Sequence, residues 1–287
     1  MSAIFAPGLF SYGFMIHAWI AASAVAVTSA LVGFFVNLRG STFAAHAVPR
    51  AAFAGAAAAF LVGTSTLLGL GVCALAMALA LGTLDRGGEH GTLTALLLVA
   101  ALGLGDLLLT VGQAYQNAVY ALLFGQIVGV SASQVAQILV LSLVVLVGFA
   151  AVYRPLLMFT AVPEAAAARG VAPVAMRVAV MALVALTAAL TVPVVGALLS
   201  FSLMVVPAAA AGRVARRPVS ALALSVAISL LVVWTALVVA YDTGLPVGFV
   251  VTALGTLAYM AASLVARLRM RQGRAQGGAR ARPALPA

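Results

Sequence analysis

The sequence predicts an all-α polytopic membrane protein with about nine transmembrane helices, within a range of eight to ten. Three observations carry this expectation. Of 287 residues, 65% are hydrophobic and 7% charged, with a mean hydropathy of +1.23. A soluble domain is about half apolar and about a quarter charged. The apolar residues also fall into runs near the ~20 residues that cross a bilayer. Finally, all fifteen basic residues are Arg, and they recur between alternate runs. Soluble enzyme, secreted disulfide scaffold and disordered protein are thereby excluded.

Spans are expected at 12–36, 45–64, 66–84, 92–111, 134–153, 176–193, 196–212, 219–240 and 246–266, bounded by Arg, Gly, Pro and polar clusters. The first has no basic segment before it, since the first Arg is Arg39, so it does not read as a cleaved signal peptide. The segments 45–64 and 193–212 carry Pro and Gly and are expected to be broken or re-entrant, which a membrane tolerates only where protein covers the backbone. The third span holds the one cysteine, Cys73, which can form no disulfide within the chain and reads as a small core residue. A transmembrane domain is expected over 1–270. The remainder, 271–287, reads as a disordered Arg-rich tail held near anionic lipid.

Orientation follows from the arginines. Arg39, Arg86, the group Arg154, Arg169 and Arg177, the group Arg213, Arg216 and Arg217, and the six Arg of the tail all fall in alternate connections. The intervening connections hold none. The N-terminus is therefore expected outside and the C-terminus in the cytoplasm. The net charge of +10 is then a topological signal and not a nucleic-acid footprint.

Ionisable side chains inside a membrane are expensive, so each is a candidate for function. His46 and Arg50 share one helix face at i and i+4, with Pro49 between them. One reading puts them on a permeation path, where a neutral imidazole would briefly ligate a divalent cation. The other has Arg50 snorkelling to the cytoplasmic face while His46 caps a helix start. Asp106 lies within LGLGDLLL and reads as the one carboxylate placed deep in the membrane. It would face a cavity, pair with His46 or Arg50, or stay protonated by desolvation. His17 beside Trp19 reads as interfacial, and Asp85, Glu89 and His90 as a solvated turn. No catalytic constellation is visible. A phosphate loop of the form GxxxxGK[ST] needs a Lys, which the chain lacks, so any ATP hydrolysis belongs to another polypeptide.

The segment 162–171, VPEAAAARGV, reads as a short helix with Pro163 at its first position, Glu164 near the positive helix end, and Gly170 ending it. It suits either docking into a groove on a cytosolic partner or a plain connector. Together with VGALLSFSLMVVPAAAAGRVARRP at 195–218, it resembles the permease of zinc/manganese/iron ABC importers. LRGSTFAAHA (38–47), YALLFGQIVGVS (120–131) and YDTGLPVGFVV (241–251) resemble further stretches of that family, in order, over about residues 10–268.

The resemblance implies a permease that binds no cofactor itself, with ATP used by a partner subunit in the cell membrane. Its implied partners are an ATP-binding cassette subunit, an extracytoplasmic substrate-binding lipoprotein and a second permease. Pro163, Glu164, Ala165 and Gly170 would then lie in the ATPase-coupling loop. His46 would lie on the metal path, and Pro207 would break the helix after Gly196 near the translocation axis. The sequence departs from the family pattern at Thr42, where an acidic residue usually stands four positions before the histidine, and at Arg50-Ala51, where Pro/Leu-Gly is usual. Alternatives are a diverged ABC permease for a non-metal or chelated substrate, and an ion-coupled secondary carrier using Asp106 and His46.

Overall fold

The structure is a computed structural model, which describes residues 13–84, 90–112, 123–125, 127–197 and 199–280. Its helices are α1 Gly13–Leu38, α2 Thr42–Val62, α3 Thr66–Leu84, α4 His90–Val111, α5 Ala132–Ala161, α6 Pro163–Ala168, α7 Pro173–Val195, α8 Ser200–Val214, α9 Pro218–Thr243 and α10 Val247–Arg280. Every expected span has its helix. Among the described residues, eight helices are long and apolar enough to cross a membrane. The exception is α8, which has 15 residues and spans only ~22 Å at 1.5 Å per residue.

Four boundaries differ from the sequence-based expectation. The first of these is α2, which is one continuous helix through Pro49 and neither broken nor re-entrant. It ends at Gly63, whose φ of +74° lets its N–H reach back to Phe60. A second is α5, which runs past Arg154 to Ala161 because that side chain is exposed and costs the helix nothing. A third concerns α8, which passes through Pro207 without ending. The last is α10, which continues past 270 to Arg280, since Arg, Ala and Gln favour helix enough to carry the glycines there. Residues 281–287, the 85–89 turn, and 120–122 and 126 of the YALLFGQIVGVS stretch lie outside the described residues.

The core is formed by α1, α2 and α7, whose most apolar windows are 67%, 67% and 72% buried, against 17% for α4 and 22% for α10. Small and hydroxylated residues let these helices approach. Gly55 of α2 and Gly69 of α3 pack so closely that a Cβ on either would collide with the other's carbonyl oxygen. The Cys73 thiol donates to Ala51 O along the same seam at 3.2 Å. Ser225 and Ser229 of α9 donate to Ala30 O and Ala26 O of α1 at 3.2 and 3.0 Å. Trp234 Nε1 donates to Ser23 Oγ at 2.9 Å and stacks on Trp19.

Arg39 of the α1–α2 turn donates to Met176 O at 3.4 Å and lies over the Phe159 ring, 5.3 Å from its centroid. Arg213 at the end of α8 donates to Tyr259 Oη at 2.7 Å. Arg269 reaches Val214 O at 3.5 Å. Arginine-bearing connections that are far apart in sequence thus meet in space, as their alternation requires.

Candidate translocation path and coupling helix

The path is best built from the interruption between α7 and α8. Ser29 Oγ of α1 and Thr191 Oγ1 of α7 lie 3.4 Å apart, and α7 ends four residues later at Val195. The interruption at 196–199 is therefore about level with the middle of α1 and not with its end. Val195, Gly196 and Ala197 are buried, as irregular backbone at that depth must be. Gly196 has φ +93° and Gly125 φ +77°. The two backbones touch: a Cβ on Gly125 would collide with Val195 C and Gly196 N, and one on Gly196 with Leu123 O and Phe124 C. This contact joins residues 123–125 to the interruption. Pro207 lies further on, buried inside α8. The break lies at Gly196–Leu199 because there the chain adopts a glycine-only conformation, whereas Pro207 removes a single backbone donor.

His46 and Arg50 stand on α2, half-buried. The His46 ring is perpendicular to Phe201, at 5.0 Å between centroids, and roughly parallel to Phe43 at 6.5 Å. His46 thus faces the first turn of α8, immediately beyond the interruption. Arg50 Nε is enclosed and has no hydrogen-bond partner. Asn37 of α1 fixes α8 from the other side, donating to Gly33 O and Val205 O at 3.0 Å each. Sequence reading passed over Phe201, Asn37 and the Gly125–Gly196 contact. A polar Asn inside an apolar run was the available signal for Asn37.

Asp106 corrects the expectation. Thr110 Oγ1 donates to its backbone carbonyl at 2.9 Å, but its side chain is exposed. Among the described residues no ion pair or hydrogen bond joins it to His46 or Arg50. The reason is geometric. Gly105 is the position that packs on α2, at Phe53 and Ala54, so the next residue turns away. It also lies nearer the Val111 end of α4 than its middle. Among the described residues, no three His, Cys, Asp or Glu side chains gather to hold a metal. His46 is a single imidazole beside aromatic rings.

The short helix predicted at 162–171 is present as α6, Pro163–Ala168. Ala166 is its anchor: it is buried, its N–H donates to Val162 O, and its carbonyl accepts from Arg169 N and Val171 N. Gly170 closes the turn with φ +77°. Glu164, Ala168, Arg169 and Gly170 are exposed. The helix hangs from the end of α5 as an outward knob.

Comparison with known proteins gives this geometry a context. Residues 11–266 match the ABC 3 transport family. The chain is 28% identical over 205 residues to the manganese transport system membrane protein MntC of Halalkalibacterium halodurans, covering 71% of this chain and 70% of that one. It is 29% identical over 225 residues to the high-affinity zinc uptake system membrane protein ZnuB of Haemophilus influenzae, covering 76% and 85%. In fold it is similar to PsaBC from Streptococcus pneumoniae in complex with Fab, with a TM-score of 0.81 at 23% identity over 89% of this chain and 92% of that one. The family match takes in seven spanning helices whole, α10 as far as residue 266, and the interruption between α7 and α8. This multi-pass membrane protein belongs to the ABC 3 transport family.

Proposed function

We propose that this chain is the membrane-spanning subunit of an ABC importer for divalent transition metal ions, manganese or zinc. The observation that carries the reading is the family match over residues 11–266, joined to relatives named for manganese and zinc transport. ATP is used by a separate subunit, because the chain has no Lys with which to build a phosphate loop. The exposed α6 knob is the contact for that subunit, through Glu164 and Gly170. A substrate-binding lipoprotein delivers the ion on the opposite side, and two permeases enclose the path. The Arg-bearing ends face the cytoplasm, so the N-terminus lies outside.

The path residues act by weak, brief contact. A neutral imidazole suits zinc better than manganese, which prefers oxygen donors, and a single ligand in this chain holds either ion loosely enough to release it. Phe43 and Phe201 flank His46 and limit the approaches open to its ring.

The test is reconstitution of the chain with its ATPase in proteoliposomes, reading uptake of radioactive manganese and zinc. ATP-dependent accumulation of either ion is the expected result. No uptake of either ion by an assembly that hydrolyses ATP would overturn the substrate reading. The docking reading has its own measurement: an E164R/G170R variant should insert normally yet lose co-purification with the ATPase. Retained co-purification with stimulated hydrolysis would remove α6 as the contact.

A further inference from the structure

Arg50 is the one charged residue of α2, and it stands at a depth where charge is expensive. As the ninth of 21 residues it lies ~12 Å along a helix of ~31 Å, close to the ~30 Å thickness of the hydrocarbon core. It shares a helix face with His46, one turn away. The His46 ring meets Phe201 in the first turn of α8. α2 sets out from the arginine-bearing ends and α8 returns to them. One turn beyond His46 is therefore one turn nearer the interruption that precedes α8.

This charge has no counterion in the chain. Among the described residues no hydrogen bond or ion pair reaches the guanidinium, and the residue is only half-buried. The sequence holds five carboxylates in all. Asp85 and Glu89 fall between α3 and α4 in sequence, Glu164 opens α6, and Asp242 lies in the last turn of α9. Asp106 is exposed on α4 and joins neither His46 nor Arg50. An arginine side chain keeps its charge at any accessible pH. A fixed positive charge beside a cation path raises a barrier that every cation has to cross.

We propose that Arg50 is an electrostatic barrier that closes the path to alkali cations between transport cycles. The inference rests on His46 being a path residue, and it assigns the neighbouring arginine the task of charge selection. A divalent ion is repelled twice as strongly as a monovalent one at the same distance. A transition metal recovers part of that cost from the His46 imidazole, and ATP drives its passage. Alkali ions are hard and gain nothing comparable from imidazole, so they meet the repulsion uncompensated. The same repulsion keeps the metal's stay at His46 brief.

The test uses the permease with its ATPase in proteoliposomes, without ATP, loaded with radioactive rubidium and radioactive sucrose. Rubidium is the alkali cation and sucrose the neutral marker. Each variant is first checked for monodisperse elution and ATP hydrolysis, so that only assembled protein is read. The unsubstituted assembly should hold both solutes. R50Q and R50M, two neutral variants of different polarity, should release rubidium about tenfold faster while sucrose stays inside. R50K keeps the charge and should restore retention, which a loss of packing alone would not predict. R216Q, at an exposed arginine of the α8–α9 connection, should leave retention unchanged. Rubidium retention by both neutral variants, an equal leak in R50K, or joint loss of sucrose would each overturn the barrier. Manganese and zinc uptake with ATP is read separately. A rubidium leak confined to the neutral variants, with neither metal moved by the unsubstituted protein, would keep the barrier and overturn the substrate reading.

Discussion

The His46 imidazole stands edge-on to the Phe201 ring, with centroids 5.0 Å apart and planes at 90°. That contact joins the fifth residue of α2 to the second residue of α8. It therefore brings the one histidine of α2 to the start of the short helix, next to a buried stretch of irregular backbone. His17 lies in α1 and has no such aromatic neighbour among the described contacts. Among the described residues neither ring nitrogen of His46 makes a hydrogen bond, which leaves both for other work.

Replacing His46 by Ala should lower metal uptake about tenfold, equivalent to roughly 1.4 kcal/mol of lost favourable interaction. The unfolding midpoint should move little, because the side chain is only half-buried and makes no side-chain hydrogen bond in the structure. Radioactive manganese uptake into proteoliposomes reads the first effect and tryptophan fluorescence the second. Uptake equal to that of the unsubstituted protein would exclude His46 from the path.

Gly196 and Gly170 both have positive φ, yet substitutions should separate them. At Gly170 nothing lies within 4 Å of an added Cβ, so Gly170→Ala meets only the left-handed backbone penalty of about 1–2 kcal/mol. At Gly196 the added carbon also meets Phe124 C and Gly125 N. Gly196→Ala should therefore destabilise far more, or abolish folded protein in detergent. Comparing monodisperse yield and thermal midpoint for the two variants checks the difference.

Asn37→Leu should cost about 0.6–1.7 kcal/mol, the measured range for a hydrogen bond between membrane helices. The loss is of the bond to Val205 O, and it should loosen α1 from α8. Ser225→Ala, at the α1–α9 seam, loses the bond to Ala30 O and should cost a similar amount. If the double variant loses the sum of the two, the seams are independent.

Asp106→Asn should change neither stability nor uptake by more than about twofold. Its carboxylate has no partner among the described residues and lies on the exposed side of α4. A large loss of uptake would mean that a group outside this chain meets it.

Much of the architecture was legible in the residues themselves. A membrane helix satisfies its own backbone hydrogen bonds locally, so an apolar run of sufficient length declares itself without reference to its neighbours. The arginines then fix which ends lie together, and Pro163 with Gly170 marks α6 at both ends. What the residues could not declare was which side of each helix meets another. These helices are apolar all round, so no polar stripe distinguishes a protein-facing side from a lipid-facing one. Asp106 and Gly105 are neighbours in sequence, but packing alone turned the glycine onto Phe53 and the carboxylate outward. Likewise Gly125 and Gly196 are 71 positions apart, and only the folded chain brings their backbones into contact. Composition and charge determined that this is a multi-span membrane protein; close packing between distant small residues decided where its path is interrupted and which side chain faces the interruption.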